Sequence, residues 1–122
     1  MIKKGGKEMK LLEIKEILNA EVLTGEELLD TEVFAACGSD LMSDVLAFVK
    51  DQALLLTGLL NPQVIRTAEM MDMKAIIFVR GKKPEDDVIA LAEERNLVLL
   101  STELPLYVAC GELYINGLKT DK

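Results

Sequence analysis

One pattern recurs along the second half of the sequence and restricts the fold more than any other feature. A short apolar run, a small polar loop, a proline and a helical pattern follow one another, and the apolar runs begin 22 residues apart. The runs begin at Ala53, Ala75 and Leu97, and the prolines are Pro62, Pro84 and Pro105. Because polar residues do not alternate with apolar ones inside the runs, we expect both faces to be buried, as in parallel strands covered by helices.

The prolines indicate where the helices begin. A proline at the first helical position costs nothing, since its missing N–H would be unpaired there. Each unit is therefore predicted to pass from a strand, through a small polar loop and its proline, into a helix. The spacing of apolar residues predicts helices over residues 11–18, 63–71, 86–95 and 107–114.

Two further strands are predicted upstream of the repeat, over residues 20–23 and 33–37. Asn19 is expected to end the first helix, because Asn tolerates the left-handed conformation of a helix stop. Between the two strands, Thr24 and Glu27 have the spacing of a capping box and predict one short turn of helix.

A helix is also predicted between the second of these strands and the first repeat unit, ending at residue 49. Ser39 or Asp40 is expected as its N-cap, because short polar side chains accept hydrogen bonds from the free N–H groups of a first turn. Its inward face is expected to carry Leu41, Val45, Leu46 and Val49. The segment thus adds a fourth strand-then-helix unit to the three of the repeat.

Strands that alternate with helices at this interval predict an α/β fold. We expect a single-domain layered fold, with a mostly parallel sheet of about four to five strands and helices on both faces. Residues 9–118 are expected to form this domain. Residues 1–8, with three lysines, are expected to be a flexible basic N-terminal extension, and residues 119–122 a frayed tail.

Composition narrows the classes of function. The chain has 122 residues, enough for one domain, and no His, which excludes an imidazole base and any zinc site with a His ligand. A net charge of −7 argues against generic binding to nucleic acid or to anionic membranes. No apolar run approaches the ~20 residues that span a bilayer and no signal peptide is evident, so a cytoplasmic location is expected. Cys37 and Cys110 are then expected to be reduced thiols.

Ligands of open α/β sheets bind beyond the carboxyl ends of the strands. That rule selects four loops, over residues 38–40, 57–61, 80–83 and 101–103. The candidate ligand-binding residues in them are Gly38, Ser39, Asp40, Thr57, Gly58, Asn61, Arg80 and Gly81.

The helix that starts at Pro62 is the best candidate for binding an anion. A helix N-terminus presents unpaired N–H groups and a partial positive charge, and this first turn contains no acid. Gly58 permits close approach of the backbone, and Arg80 would supply a planar fork for phosphate or carboxylate. The alternative is that Gly58 and Gly81 only serve turns and that the basic side chains are solvated.

No residues are assigned to catalysis, to a metal or to a cofactor. Asp40 and Asp44 are too few carboxylates for a magnesium site without a phosphate partner. Cys37 and Cys110 have no imidazole base and are read as small core residues. The sequence contains neither the Gly-x-x-x-x-Gly-Lys-Ser/Thr motif nor the Gly-x-Gly-x-x-Gly motif. Phosphoryl transfer and dinucleotide binding therefore have no support.

The sequence resembles the DRTGG domain family, small α/β domains found alone or fused to CBS domains and to enzymes. The resemblance covers roughly residues 9–118 and depends on residues 9–28, 38–46, 54–58, 76–81 with Pro84, and 91–97. Thr57 and Gly58 match the Thr-Gly before the family's Asp-Arg pair, whose positions here hold Leu60 and Asn61. The family's Thr-Gly-Gly element is replaced by residues 79–81, which keep only its last glycine.

The resemblance implies a regulatory or ligand-sensing role, attached to or assembled with another protein. Our leading interpretation is a non-catalytic regulatory module, a homodimer, that binds a partner protein and a small phosphate-bearing metabolite or nucleotide. A small enzyme acting on a phosphorylated metabolite is the first alternative, with Arg80 holding the substrate and Asp40 or Asp44 as the base. A ligand-free interaction subunit is the second, with a dimer face formed by the Met-rich helix and by the apolar C-terminal helix that carries Tyr107, Val108, Tyr114 and Ile115.

Overall fold

The computed structural model describes residues 8–48 and 53–119. Within those ranges the strands are Met9–Lys10 (β1), Glu21–Thr24 (β2), Glu32–Val33 (β3), Ala35–Gly38 (β4), Ala53–Thr57 (β5), Ala75–Phe78 (β6) and Val98–Ser101 (β7). The helices are Leu11–Leu18 (α1), Met42–Phe48 (α2), Pro62–Met70 (α3), Asp86–Glu94 (α4) and Leu106–Ile115 (α5).

The main sheet has the strand order β2-β7-β6-β5-β4. Strands β4, β5, β6 and β7 pair in parallel with one another, whereas β2 pairs antiparallel with β7 at the far edge. The predicted strand over residues 33–37 is in fact two strands. Its first part is β3, which pairs antiparallel with β1 in a separate two-stranded sheet, and its second part is β4.

Two apolar cores enclose the sheet, one on each face. Helices α1 and α5 pack on one face, against Leu54, Leu56 and Ile77 among others. Helices α2, α3 and α4 pack on the opposite face, against Leu55, Ile76 and other residues of the same strands. Successive strand residues therefore enter different cores, which explains why the runs are continuously apolar. The mostly parallel α/β fold with helices on both faces is confirmed.

The three prolines do not all occupy the predicted position. Pro62 is the first residue of α3, as expected. Pro84 is buried and lies two residues before α4, whose N-cap is Glu85, and Pro105 is itself the N-cap of α5. Pro105 has an extended ψ of 162°, so its ring fixes the chain before the helix and not within it.

Two predictions about helix starts are wrong. Helix α2 begins at Met42, and its first helical bonds run from the N–H groups of Asp44 and Val45 to the Leu41 carbonyl. Leu41 and Leu46 are consequently exposed, while Met42 and Val45 are buried. The predicted end of this helix at residue 49 lies outside the described residues.

The capping box predicted at Thr24 is also absent. The short helical turn is present at Glu26–Leu28, but its N-cap is Gly25, which has a φ of 90° and no side chain to accept a bond. By contrast, Asn19 ends α1 in the left-handed conformation, with a φ of 50°, as predicted.

The chain after α5 returns to the sheet. The carbonyl of Lys119 accepts a hydrogen bond from the N–H of Ala36 in β4, at 3.0 Å. The Lys119 ammonium lies 3.7 Å from the centre of the Tyr114 ring. Lys119 is thus in contact with the domain, while the rest of the predicted tail and residues 1–7 lie outside the described part. No described helix is long and apolar enough to cross a membrane.

Candidate ligand site at the carboxyl edge of the sheet

Parallel pairing brings the four predicted loops to the same edge of the sheet. The ladder continues for one bond past the strands, since the N–H of Val79 donates to the Thr57 carbonyl at 3.2 Å. The N–H of Thr102 likewise donates to the Phe78 carbonyl at 2.9 Å. The loops therefore start in fixed positions next to one another, in the order β7, β6, β5, β4.

Asp40 joins the first two of these loops. Its Oδ1 accepts hydrogen bonds from the Thr57 hydroxyl, at 2.9 Å, and from the Gly58 N–H, at 2.8 Å. The expectation that Asp40 caps α2 is therefore wrong, because its carboxylate turns towards the neighbouring strand. Ser39 does not cap the helix either, because its hydroxyl accepts from the Leu41 N–H within its own loop, at 3.0 Å.

The third loop is a tight turn built on Arg80 and Gly81. Both residues have a positive φ, 60° and 70°, and the N–H of Lys82 closes the turn on the Val79 carbonyl at 3.2 Å. Two left-handed residues in succession are the mark of a type I′ turn. The N–H groups of Arg80 and Gly81 donate to carbonyls of the loop after β7, so the turn is fixed on its outer side as well.

This turn directs Lys82 back over the second loop, which the sequence interpretation did not foresee. The Lys82 ammonium lies 3.5 Å from the Gly58 carbonyl. The Lys82 carbonyl accepts from the Ser101 hydroxyl at 2.8 Å, which holds the third loop against the fourth. The signal for this placement is the Arg-Gly pair itself, because a type I′ turn reverses the chain within two residues.

The Arg80 side chain takes part in none of these contacts. It is exposed, and within the described part of the chain its guanidinium makes no hydrogen bond or ion pair. Lys83, by contrast, forms an ion pair with Glu21 at 2.9 Å and is engaged. Arg80 and Lys82 are therefore the two cations of this loop that remain available to an incoming anion.

The N-terminus of α3 completes the edge. The Asn61 side chain accepts from the Gln63 N–H at 3.0 Å and so caps the helix. The N–H groups of Leu60 and Asn61 meet no acceptor among the described residues. Since the first turn of α3 has no acidic residue, its partial positive charge is not neutralised by the helix itself.

The remaining predicted residues have local roles. A Cβ on Gly38 would lie 2.7 Å from the Cys110 Sγ and 3.2 Å from Leu106 Cδ1, so this glycine makes room for α5. A Cβ on Gly81 would lie 2.7 Å from a carboxylate oxygen of Glu103, which therefore sits against the turn. The edge thus presents two available cations and two free N–H groups, with the carboxylates of Asp40 and Glu103 beside them.

The two thiols lie close to this edge but have no chemistry there. Burial, together with a smaller effect of the nearby Cys110, raises the pKa of Cys37 to about 11. Burial also raises the pKa of Cys110. Both are therefore protonated near neutral pH and poor nucleophiles. They line a small cleft of about 110 Å³ between β4 and α5. Within the described ranges, no three Cys, Asp or Glu side chains form a metal-binding cluster.

Comparison with known proteins gives one family and one informative structure. A model of the DRTGG domain matches residues 13–110. The crystal structure of the CBS and DRTGG domains of the regulatory region of Clostridium perfringens pyrophosphatase, complexed with the activator diadenosine tetraphosphate, is similar with a TM-score of 0.72 and 18% identity. The match covers 92% of this chain and 48% of that one, so this chain spans about half its length, and the likeness is one of fold. No curated protein sequence is significantly similar.

Proposed function

The chain belongs to the DRTGG domain family, and on that basis we propose that it is a non-catalytic regulatory module that senses a phosphate-bearing metabolite or nucleotide. The ligand binds at the carboxyl edge of the sheet, where the phosphate faces Arg80, Lys82 and the start of α3. Support comes from the regulatory region with a similar fold, which is complexed with diadenosine tetraphosphate, a polyphosphate nucleotide.

The observation that carries this proposal is the free Arg80 guanidinium on the same edge of the sheet as the start of α3, whose first turn contains no acid. A left-handed φ is unfavourable for a residue with a Cβ, and Arg80 has a φ of 60°. The turn keeps this unfavourable conformation at Arg80, whose side chain makes no hydrogen bond or ion pair in the described chain. Arginine offers two parallel donors to a phosphate, and the N–H groups of Leu60 and Asn61 offer two more.

Thermal denaturation tests this directly. The purified chain is heated with ATP, diadenosine tetraphosphate, inorganic phosphate or sulfate. A ligand present at about 100 times its dissociation constant stabilises a fold by about 2.7 kcal/mol, which raises the Tm by several degrees. We expect a nucleotide to give this shift and Arg80→Ala to abolish it.

The matched control is Arg66→Ala. Arg66 is an exposed residue of α3 that lines a shallow depression with residues of α4, away from the four loops. The Arg66→Ala substitution removes one positive charge, as Arg80→Ala does, and should leave the ligand-induced rise in Tm intact. If no compound stabilises the chain, or if Arg66→Ala and Arg80→Ala reduce the shift equally, the site is wrong. Turnover of a phosphorylated compound that Arg80→Ala removes would overturn the non-catalytic part of the proposal.

The proposed module acts as a homodimer and regulates a partner protein in the cytoplasm. The support for a dimer is the exposed apolar surface of α5, and the support for the compartment is that both cysteines are free thiols. Light scattering after size-exclusion chromatography tests the dimer, and a monomer across a concentration series would contradict it.

A further inference from the structure

Helix α5 is apolar around its whole circumference. Its inner side is buried against the sheet through Ala109 and Leu113. Its outer side carries Tyr107, which is 89% exposed, and Ile115, which is 80% exposed. Glu112 is its only charged residue. A helix that is apolar on every side is typical of one that is covered on every side, so the outer face of α5 calls for a partner.

The exposed residues of α5 form a stripe that is symmetric about a glycine. Gly111 lies at the centre, Val108 and Tyr114 lie three residues to either side, and Tyr107 and Ile115 lie four residues to either side. A two-fold axis that passes midway between the Gly111 residues of two copies, perpendicular to both helices, would place Tyr107 level with Ile115 of the second copy. It would also place Val108 opposite the Tyr114 position, so apolar residues meet apolar residues along the whole stripe.

Gly111 has the space that such a crossing requires. A Cβ at this position would have no heavy atom within 4 Å, so no contact inside the described chain explains the glycine. In the middle of a helix a glycine costs about 0.5–1 kcal/mol relative to alanine. Because Gly111 has no side chain, the axis of a second helix can approach α5 closely at this point.

Tyr114 is already fixed for a contact of this kind. The Lys119 ammonium lies over its ring and also donates to the Tyr114 carbonyl at 2.9 Å. A side chain that is held before association loses less rotamer freedom when it binds. Tyrosines are also among the residues that are enriched at the energetic centre of protein interfaces.

From these observations we infer that the outer face of α5 is the interface with a second copy of this chain, in which two α5 helices cross antiparallel at Gly111. A self-complementary surface is what a two-fold homodimer requires and what an unrelated partner does not. This inference rests on the proposed homodimer and names its surface, and it does not depend on the ligand.

Gly111→Leu is the first test, measured by light scattering over a concentration series. A leucine fits the open space in the monomer and favours the helix, so the variant should unfold at the same temperature as the monomeric protein or higher. At the crossing it would collide with its symmetry mate and raise the dimer dissociation constant by at least about tenfold. A wild-type monomer would overturn the dimer and its surface together. A Gly111→Leu dimer of unchanged affinity would overturn only the surface.

Disulfide formation tests the direction of the crossing. Tyr107→Cys and Ile115→Cys chains, one carrying a mass tag, are mixed and oxidised, and the products are separated on a non-reducing gel. The antiparallel arrangement predicts a mixed Tyr107→Cys with Ile115→Cys product. Each variant linked mainly to itself would indicate a parallel pair and overturn the inference. Ala90→Cys, on the exposed side of α4, is the control that should not cross-link.

Discussion

Among single residues, Asp40 makes the contact that holds the first two loops of the carboxyl edge together. One of its carboxylate oxygens accepts both the Thr57 hydroxyl and the Gly58 N–H. Hydrogen bonds to a charged acceptor are stronger than neutral ones, and these two connect residues that are 17 and 18 positions apart in the chain. The carboxylate therefore stabilises the site without belonging to any helix cap.

Asp40→Ala should lower the free energy of unfolding by about 1–3 kcal/mol, because it leaves the Thr57 hydroxyl and the Gly58 N–H without their acceptor. Urea denaturation measures the change. Asp30→Ala is the control, since Asp30 makes only an exposed ion pair with Lys10 at 4.0 Å, and its loss should stay within about 0.5 kcal/mol. Equal losses in the two variants would mean that the Asp40 bonds add nothing.

Cys37 gives a prediction about pH. Burial raises its pKa from the ordinary value of 9.0 to about 11, so the folded chain retains the thiol proton at a pH where the unfolded chain has lost it. Its contribution to stability is complete below pH 9.0 and is lost as the pH rises towards about 11. We expect urea denaturation between these pH values to show a steeper fall for the wild type than for Cys37→Ala. Parallel curves would contradict the raised pKa.

At the scale of elements, the start of α3 is the best-defined helix terminus near the site. The Asn61 side chain caps it, Pro62 occupies its first position, and no acid lies in its first turn. Helix α4 follows the same kind of strand but begins differently. Its N-cap, Glu85, makes no side-chain cap bond, and Asp86 and Asp87 already occupy its positive end. Of the two, only α3 has a terminus suited to an anion.

Asn61→Ala should reduce the free energy of unfolding by about 1 kcal/mol, because the Gln63 N–H loses its acceptor. Glu85 occupies the same cap position in α4 but makes no side-chain cap bond. Glu85→Ala should therefore change the free energy of unfolding much less. Urea denaturation of both variants gives the comparison. A larger loss for Glu85→Ala would contradict the role of the Asn61 cap.

Some elements of this fold could be predicted from the sequence and others could not. Helices α1, α3, α4 and α5 begin and end within about one residue of their predicted limits, because apolar spacing and local stop signals such as Asn19 decide them. The separation of β3 from β4 depends on pairing with β1, a distant segment that has no local signal. The site follows the same division: the four loops could be predicted from topology, but the partners of Asp40 and Lys82 are set by tertiary contacts.

At the scale of the molecule, the first and last elements of the described chain are joined along β7. Strand β2 pairs with β7, and α1 packs on α5. The Thr102 hydroxyl, which is buried, donates to the Leu18 carbonyl at 2.8 Å across 84 residues of sequence. The edge of the sheet that carries β2 is therefore stable only when the last part of the chain is in place.

Gly25→Ala tests this junction. Gly25 has a φ of 90°, and a Cβ there would lie 2.9 Å from Val98 Cγ2 and 3.0 Å from Val98 Cα, which is backbone and cannot move away cheaply. Strain and collision together should lower the free energy of unfolding by at least about 2 kcal/mol. Gly58→Ala is the control, since its nearest contact would be an ordinary 3.6 Å to the Lys82 ammonium. Equal effects of the two substitutions would show that the junction tolerates a side chain.

The pairing of β2 with β7 has a consequence for synthesis on the ribosome. Residues 11–24 emerge well before their partners in β7 and α5, which are separated from them by strands β3 to β6 and helices α2 to α4. Contacts of such high sequence separation form slowly, and a nascent chain exposes its unpaired apolar surface in the meantime. Leu11, Ile14 and Leu18 of α1 therefore remain uncovered by α5 until the strands and helices between them have been made. Helix α1 is thus exposed long before it is protected, which marks it as a segment that a nascent-chain chaperone would bind.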